Sequence, residues 1–389
     1  MKKLLSKATA YLLALAVILG MGSWPAVSMP VMAAEGSVVN VYDATTLGEM
    51  LKTENVDIVL WQDINYTGSD KVLCNSIDLN GYDLTCSKTL TFGSGKRTFS
   101  ILDGQYNESE QTSTGTAEFS DGINISDGTL RIESGVISVS RQADKMACHG
   151  IYGTGNVEFI DGKITINGAD GIDGAIGNAG TSGTEDKKTG GLGGRGGVGS
   201  KGGDGINVSR VIFYGGSIII SGGQGGAGGT GGTGGTGYPG LNVPAWQDAF
   251  DGKDAGNGGT GGTGGTGGDG IQASFGVEMY GGNIYIYAGS GGSGGTGGKG
   301  GTGGRGGRYN DSIGGDGKSG NGGEGGFGGQ GGDGIFGCVS GVQVYGGKLT
   351  CYGGYRGSAG AGGKRGDNPS PYYTCLLYTS LLCQRYTKR

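Results

Sequence analysis

The tripeptide Gly-Gly-Thr runs unbroken through 228–236 and again through 258–266, and a period of three built on glycine leaves few ways to fold. These runs are not isolated low complexity. Three glycine-rich excursions leave the chain after one short strand pattern and return just before another. The returns share a Gly-Ile start, at Gly122-Ile123, Gly150-Ile151, Gly205-Ile206, Gly270-Ile271 and Gly334-Ile335. Each start is followed by an apolar-x-apolar pair, one or two glycines and a second such pair, as in Val211-x-Phe213, Gly215-Gly216, Ile218-x-Ile220. The last three starts lie 65 and 64 residues apart. A further Gly171-Ile172 follows Gly150 by only 21, which reads as the bare coil without its insert. A fixed period with loops at one position marks a solenoid whose inserts stack on one face.

Aligning the repeats produces columns. Ile123, Ile151, Ile206, Ile271 and Ile335 form one; Ile132, Phe159, Phe213, Met279 and Val344 a second; Ile137, Ile164, Ile218, Ile284 and Leu349 a third. Alternation assigns these to the inner face. The outward positions include Tyr214, Tyr280 and Tyr345, then Tyr285, then Asn167, Ser221, Tyr287 and Tyr352, an aromatic stripe on the later coils. The expected fold is all-β, a right-handed parallel β-helix with stacked glycine-rich inserts at about 173–203, 222–268 and 288–332 within repeats spanning 118–366. The inserts carry no proline in their triplet runs, which excludes collagen. They pack as a polyglycine II bundle or stay a disordered linker; glycine permits close approach but is costly to order.

The remaining composition excludes several classes. Of 389 residues only 34% are hydrophobic and 16% charged, with a formal charge of −5. That suits one elongated solenoid better than several compact domains, and no basic excess points to nucleic acid. Residues 1–34 read as a secretory signal, with Lys2, Lys3 and Lys7 before an apolar run that is short for a membrane span. The seven cysteines show no metal spacing; Cys74 and Cys86 could pair, but buried thiols are the plainer reading. From Cys375 to Arg389 the repeat pattern is lost. Cys375-Leu-Leu-Tyr-Thr-Ser380 looks like the product of a sequencing adaptor, so 375–389 is read as artefact and the natural chain is expected to continue.

Residues 38–117 read as an N-terminal cap and first coils; from about Val38 to Gly104 they carry no glycine bias and contain a short helix near Thr46–Leu51 followed by strands. Through Asp63-Ile64 and Ile77-Asp-Leu-Asn-Gly-Tyr82 this segment resembles the cap and first coils of pectate-lyase-like β-helix proteins of bacterial surfaces. The repeat from Ser120 to Cys351 is similar to that of secreted carbohydrate-binding proteins of the same fold, while the glycine inserts look like the polyglycine tip domains of phage adhesins. The resemblance implies a secreted or cell-surface, non-catalytic binder whose partner is a polysaccharide or host glycan. Its candidate contact residues are Tyr280, Tyr285, Tyr287, Tyr345 and Tyr352 on the coils, with Tyr238, Trp246 and Phe250 on the second insert's tip.

A carboxylate precedes the Gly-Ile starts at Asp204, Asp269 and Asp333, and 264–271 and 328–335 match the G-G-x-G-x-D-x-apolar string of calcium-binding RTX repeats. Stacked carboxylates repel unless something intervenes, and calcium suits them; the plainer reading is that each caps its own turn through backbone N–H groups. Support for catalysis is thin. His149 is the single histidine, and Arg131, Arg141 and Arg210 belong to no recognisable lyase motif. A polysaccharide lyase or hydrolase, and a purely structural wall protein, stand as the alternatives.

Overall fold

The computed structural model describes residues 36–361 except 94, 96, 108, 111–113, 142–147, 186, 188, 240–249, 305–307, 310–311 and 314–316, together with the backbone of Cys375–Leu377. The segment 1–34, read as a signal, and 378–389 lie outside the described residues. The described chain is nearly all β, with one helix, Ala44–Leu51. Asp43 caps that helix by accepting the Thr46 N–H at 2.8 Å, which satisfies one of the free amides of the first turn.

Strands join two long sheets, one of fourteen strands and one of nine, parallel throughout except for Cys375–Leu377, which pairs antiparallel with Lys348–Tyr352 at the end of the second. The larger curls, because Ile206–Phe213 and Ile271–Met279 each pair with two shorter strands of a neighbouring coil. Each turn of chain therefore contributes three faces. Ile123–Ile125, Thr129–Ile132 and Val136–Val139 make one such turn, and Ile151–Gly153, Asn156–Phe159 and Lys163–Asn167 make the next. This arrangement fits a parallel β solenoid.

The columns read from the sequence are the observed register. Ile123 pairs with Ile151, Ile151 with Ile206, Ile206 with Ile271 and Ile271 with Ile335, and the other two columns align likewise. All are buried except the terminal Ile335 and Val344. Phe159 stacks on Phe213 inside, centroids 5.1 Å apart. Between second and third faces the corner residue is Gly135, Gly162, Gly216, Gly282 or Gly347, each with positive φ, a conformation that L side chains rarely adopt.

One coil start is corrected. Gly171-Ile172 opens no coil: the Gly171 N–H donates to the Gln224 carbonyl at 2.6 Å, and Ile172 is exposed. The residues after Ile172 are Asp-Gly-Ala, with no apolar-x-apolar pair to enter the core. The bare coil is the step from Ile123 to Ile151.

Among the described residues the inserts form seven arms, leaving the third face at 170–183, 223–237, 288–304 and 353–361 and returning at 190–203, 253–268 and 317–332. None of their regular bonds lies within an arm. Gly225, Gly228, Gly231, Gly234 and Gly237 donate to Ser290, Ser293, Thr296, Lys299 and Thr302 on the next outgoing arm, while Gly226, Gly229, Gly232 and Gly235 donate to Ser200, Gly197, Gly194 and Gly191 on the returning arm before it. Bonding every third residue to neighbours, with none inside, is the behaviour of three-residue polyproline-type helices. Outgoing arms make one layer, returning arms the other; two N–H groups per triplet are paired in the interior arms 190–203, 223–237 and 253–268, and one in the edge arms 170–183 and 353–361.

Candidate glycan-binding surface

Two ladders of tyrosine stand on the outside of the coils. Tyr214, Tyr280 and Tyr345 occupy the corner where the second face turns into the third, with centroids 5.3 and 4.9 Å apart and planes within 14°. Tyr287 and Tyr352 end the third-face strands Asn283–Tyr287 and Lys348–Tyr352, at 5.1 Å and 8°. The strand register places equivalent residues one coil apart, close to the strand spacing of about 4.8 Å, so outward tyrosines at one column position must stack. Parallel β register thus becomes an aromatic ladder.

Stacking decides which chemistry each ring offers. Tyr280 is sandwiched, so its faces are covered and its edge and hydroxyl are what solvent meets. That hydroxyl donates to Glu278 Oε2 at 3.2 Å, and this bond is the largest influence raising its pKa. The Tyr345 hydroxyl likewise donates to Gln343. With donors directed back at the strand, the hydroxyl lone pairs are left to accept from a ligand. Tyr345 is 61% exposed. Tyr285 is half-buried, and the Lys348 ammonium stands 5.7 Å from its ring centroid, a cation–π contact on the ring that a sugar would otherwise use.

Ion pairs flank the first ladder. Arg131 donates to Glu158 through Nε at 2.9 Å and Nη2 at 2.7 Å, and Arg210 pairs with Glu278. Arg141 lies over Tyr152, 4.8 Å from its centroid, with Asp121 at 3.8 Å from Nε. All three arginines named in the lyase alternative therefore have structural neighbours.

The tip residues are apart from these ladders. Phe250 is exposed and Tyr238 half-buried at the far end of the second insert; Trp246 lies outside the described residues. Sequence reasoning placed Tyr214 in the outward column but not among the contact residues, although it is the first ring of its ladder.

The acidic column sits where returning arms re-enter the core. Asp204, fully buried, accepts the Asp269 N–H at 2.8 Å, and Asp269 accepts the Asp333 N–H at 2.7 Å. Each carboxylate thus caps the next coil rather than its own turn. Lys201 Nζ stands 3.1 Å from Asp204 Oδ1 and 3.8 Å from Asp269 Oδ2, between the two groups that a calcium ion would bridge. Among the described residues no cluster of three or more His, Cys, Asp or Glu could hold a metal. Burial pushes the Asp204 carboxyl upward, but His149, the Asp269 amide and Lys201 outweigh it and leave it below the ordinary value. Asp269 is raised, by burial first and then by the Asp204 charge.

His149 Nδ1 lies 2.9 Å from the Asp204 N–H and 3.1 Å from Asp204 Oδ2. One nitrogen cannot accept from the first and donate to the second. The amide can only donate, so Nδ1 accepts from it.

Cys74 and Cys86 are separate buried thiols, not a bridge; burial holds the Cys86 thiol up at about 12. No helix among the described residues is long and apolar enough to cross a membrane. The chain matches no protein-family model, no curated protein and no solved structure.

Proposed function

We propose that the chain is a non-catalytic carbohydrate-binding or adhesion protein, exported to the medium or the cell surface and wound as a right-handed parallel β-helix of the pectate-lyase-like kind. The observation that supports it is the pair of exposed tyrosine ladders running along the coil axis. A ring face or edge repeated at coil spacing suits a long, repetitive ligand with apolar C–H surfaces and many hydroxyls, as a polysaccharide has. The glycine-poor tips read from the sequence at 184–189, 238–257 and 308–313 differ in chemistry, and a regular support presenting varied loops suits adhesion.

The test is a glycan array probed with the wild type, with Tyr345→Ala and with Tyr352→Ala. Binding to a defined set of glycans that falls at least about tenfold in one ladder variant is expected, about the loss of one stacked contact of 1–3 kcal/mol. Binding untouched in both variants would move recognition to the tips, and product release from pectin in calcium would return the lyase reading. The seven-arm bundle also favours a structural wall or surface component, which predicts no saturable soluble ligand.

A further inference from the structure

Where the first two outgoing arms leave the third face, the surface folds into a cleft of about 400 Å³. Its walls carry Arg141, Asn167, Asp170, Ser221 and Gln224, with glycine backbone between them. Two amides, a hydroxyl, a guanidinium and a carboxylate supply donors and acceptors in the mixture that vicinal hydroxyls need. Several are held in place. Asp170 Oδ1 accepts the Gln224 N–H at 2.7 Å, which fixes the carboxylate on the cleft wall. Arg141 is 13% exposed and packed on Tyr152; its buried Nε has no hydrogen-bond partner among the described residues and stands 3.8 Å from Asp121 Oδ1. Arg141 and Asp170 are of opposite charge, so the wall has no net charge.

Asn167 and Ser221 on the cleft wall share a column with the second tyrosine ladder. Asn167 pairs with Ser221, Ser221 with Tyr287 and Tyr287 with Tyr352, one column rising by about 4.8 Å per coil. The two rings are parallel within 8° at 5.1 Å, close to that step, so their normals lie along the axis. Tyr352 covers one face of Tyr287. The next position beyond the other face is Ser221, whose side chain is too small to cover it. The first ladder differs, since Ile160 follows Tyr214 in its column and fills the equivalent place.

We propose that this cleft binds a neutral oligosaccharide, one pyranose ring stacking on the open face of Tyr287 at the level of Ser221 and the next units lying along Asn167, Gln224 and Arg141. The ring takes the place that another tyrosine would hold in the ladder. The inference rests on the glycan-binding reading and narrows it to one surface and to uncharged sugars.

Calorimetric titration of the full chain with neutral hexose and pentose oligosaccharides and with an oligogalacturonate tests it. Ser221→Tyr extends a ladder the fold already stacks, so melting should be unchanged while affinity for the neutral sugar falls more than about tenfold. Gln224→Ala removes an exposed side chain whose backbone bonds remain, and should weaken binding by about tenfold, the scale of one hydrogen bond. Neutral-sugar binding that survives Ser221→Tyr and is lost in Tyr345→Ala overturns the cleft and keeps the broader reading. Tighter binding of oligogalacturonate overturns the neutral assignment, and saturable binding of no saccharide overturns both.

Discussion

Asp204 shows how one buried carboxylate joins coil and bundle. Its oxygens take the Asp269 amide, the Lys201 ammonium and the Asn207 side-chain amide at 2.8 Å, so Asp204→Ala strands several polar groups at once. An unsatisfied buried donor costs about 1–3 kcal/mol, and thermal unfolding should show a loss at least that large. Asp269→Asn keeps the oxygen that accepts from Asp333 and removes a charge facing Asp204, so it should be close to neutral at pH 7. The pH dependence separates the two. A carboxyl lowered in the fold gives stability that is complete above its unfolded pKa and lost as pH falls through the folded one; Asp204 is of this kind. A raised carboxyl favours the fold when protonated, so Asp269 contributes stability that is lost as pH rises from its unfolded to its folded pKa. Melting followed from pH 3 to 7 should therefore rise more steeply for Asp269→Asn than for the wild type. With Lys201 between the carboxylates, chelator and calcium should leave the melting temperature unchanged; a calcium-dependent rise would put the ion in place of Lys201.

At the scale of the arm, glycine is demanded only where another arm lies. A Cβ on Gly259 would stand 1.9 Å from the Gly194 carbonyl oxygen, inside any real contact distance. Interior arms meet neighbours on both sides and carry two glycines per triplet, whereas the edge arm 170–183 has neighbours on one side and keeps one, in Asp173-Gly-Ala and Ile176-Gly-Asn. The same logic acts within an arm. Along 317–332, a Cβ on Gly325, Gly328 or Gly331 would stand 1.9–2.3 Å from a carbonyl oxygen of the arm 353–361. Gly259→Ala should cost about 1–3 kcal/mol or more by overpacking, whereas Thr260→Ala, at the exposed position of the same triplet, should change stability by less than about 0.5 kcal/mol. Paired thermal melts would decide; equal effects at the two sites would refute the packing argument.

At the scale of the molecule, the bundle is an extension of the β register. Each later coil sends out one pair of arms, so arms of one layer recur at the strand spacing of about 4.8 Å, and the sheet holds them at hydrogen-bonding distance. This shared spacing offsets the entropy that glycine loses on ordering. It also predicts a pattern in amide exchange. In the second outgoing arm two N–H groups per triplet are bonded, whereas the amides of Thr230, Thr233 and Thr236 have no backbone partner. Exchange measured by NMR should be slow at Gly228, Gly229, Gly231 and Gly232 and fast at the three threonines. Lys318 and Asn321, whose amides donate to the side chains of Asp254 and Asn257 at 2.7 and 2.8 Å, should fall between. Uniformly fast exchange would mean that the arms are a linker.

The inward columns and the tyrosine ladders were legible in the chain, because strand alternation and a repeated coil place residues by counting alone. Ile123 to Ile335 and Tyr280 to Tyr345 needed no more than that. Counting failed at Gly171-Ile172, where a local string imitates a coil start and only the lack of an apolar pair after it marks the difference. It failed too for Arg141, Asn167, Asp170, Ser221 and Gln224, which belong to three coils and two arms and meet only because the bundle leaves the third face there. Tertiary structure also set what the rings can do: it closed both faces of Tyr280, put Lys348 by Tyr285 and placed the small Ser221 next to Tyr287. Periodicity specifies which residues share a column, whereas the contents of the space beside a column depend on segments far apart in the chain.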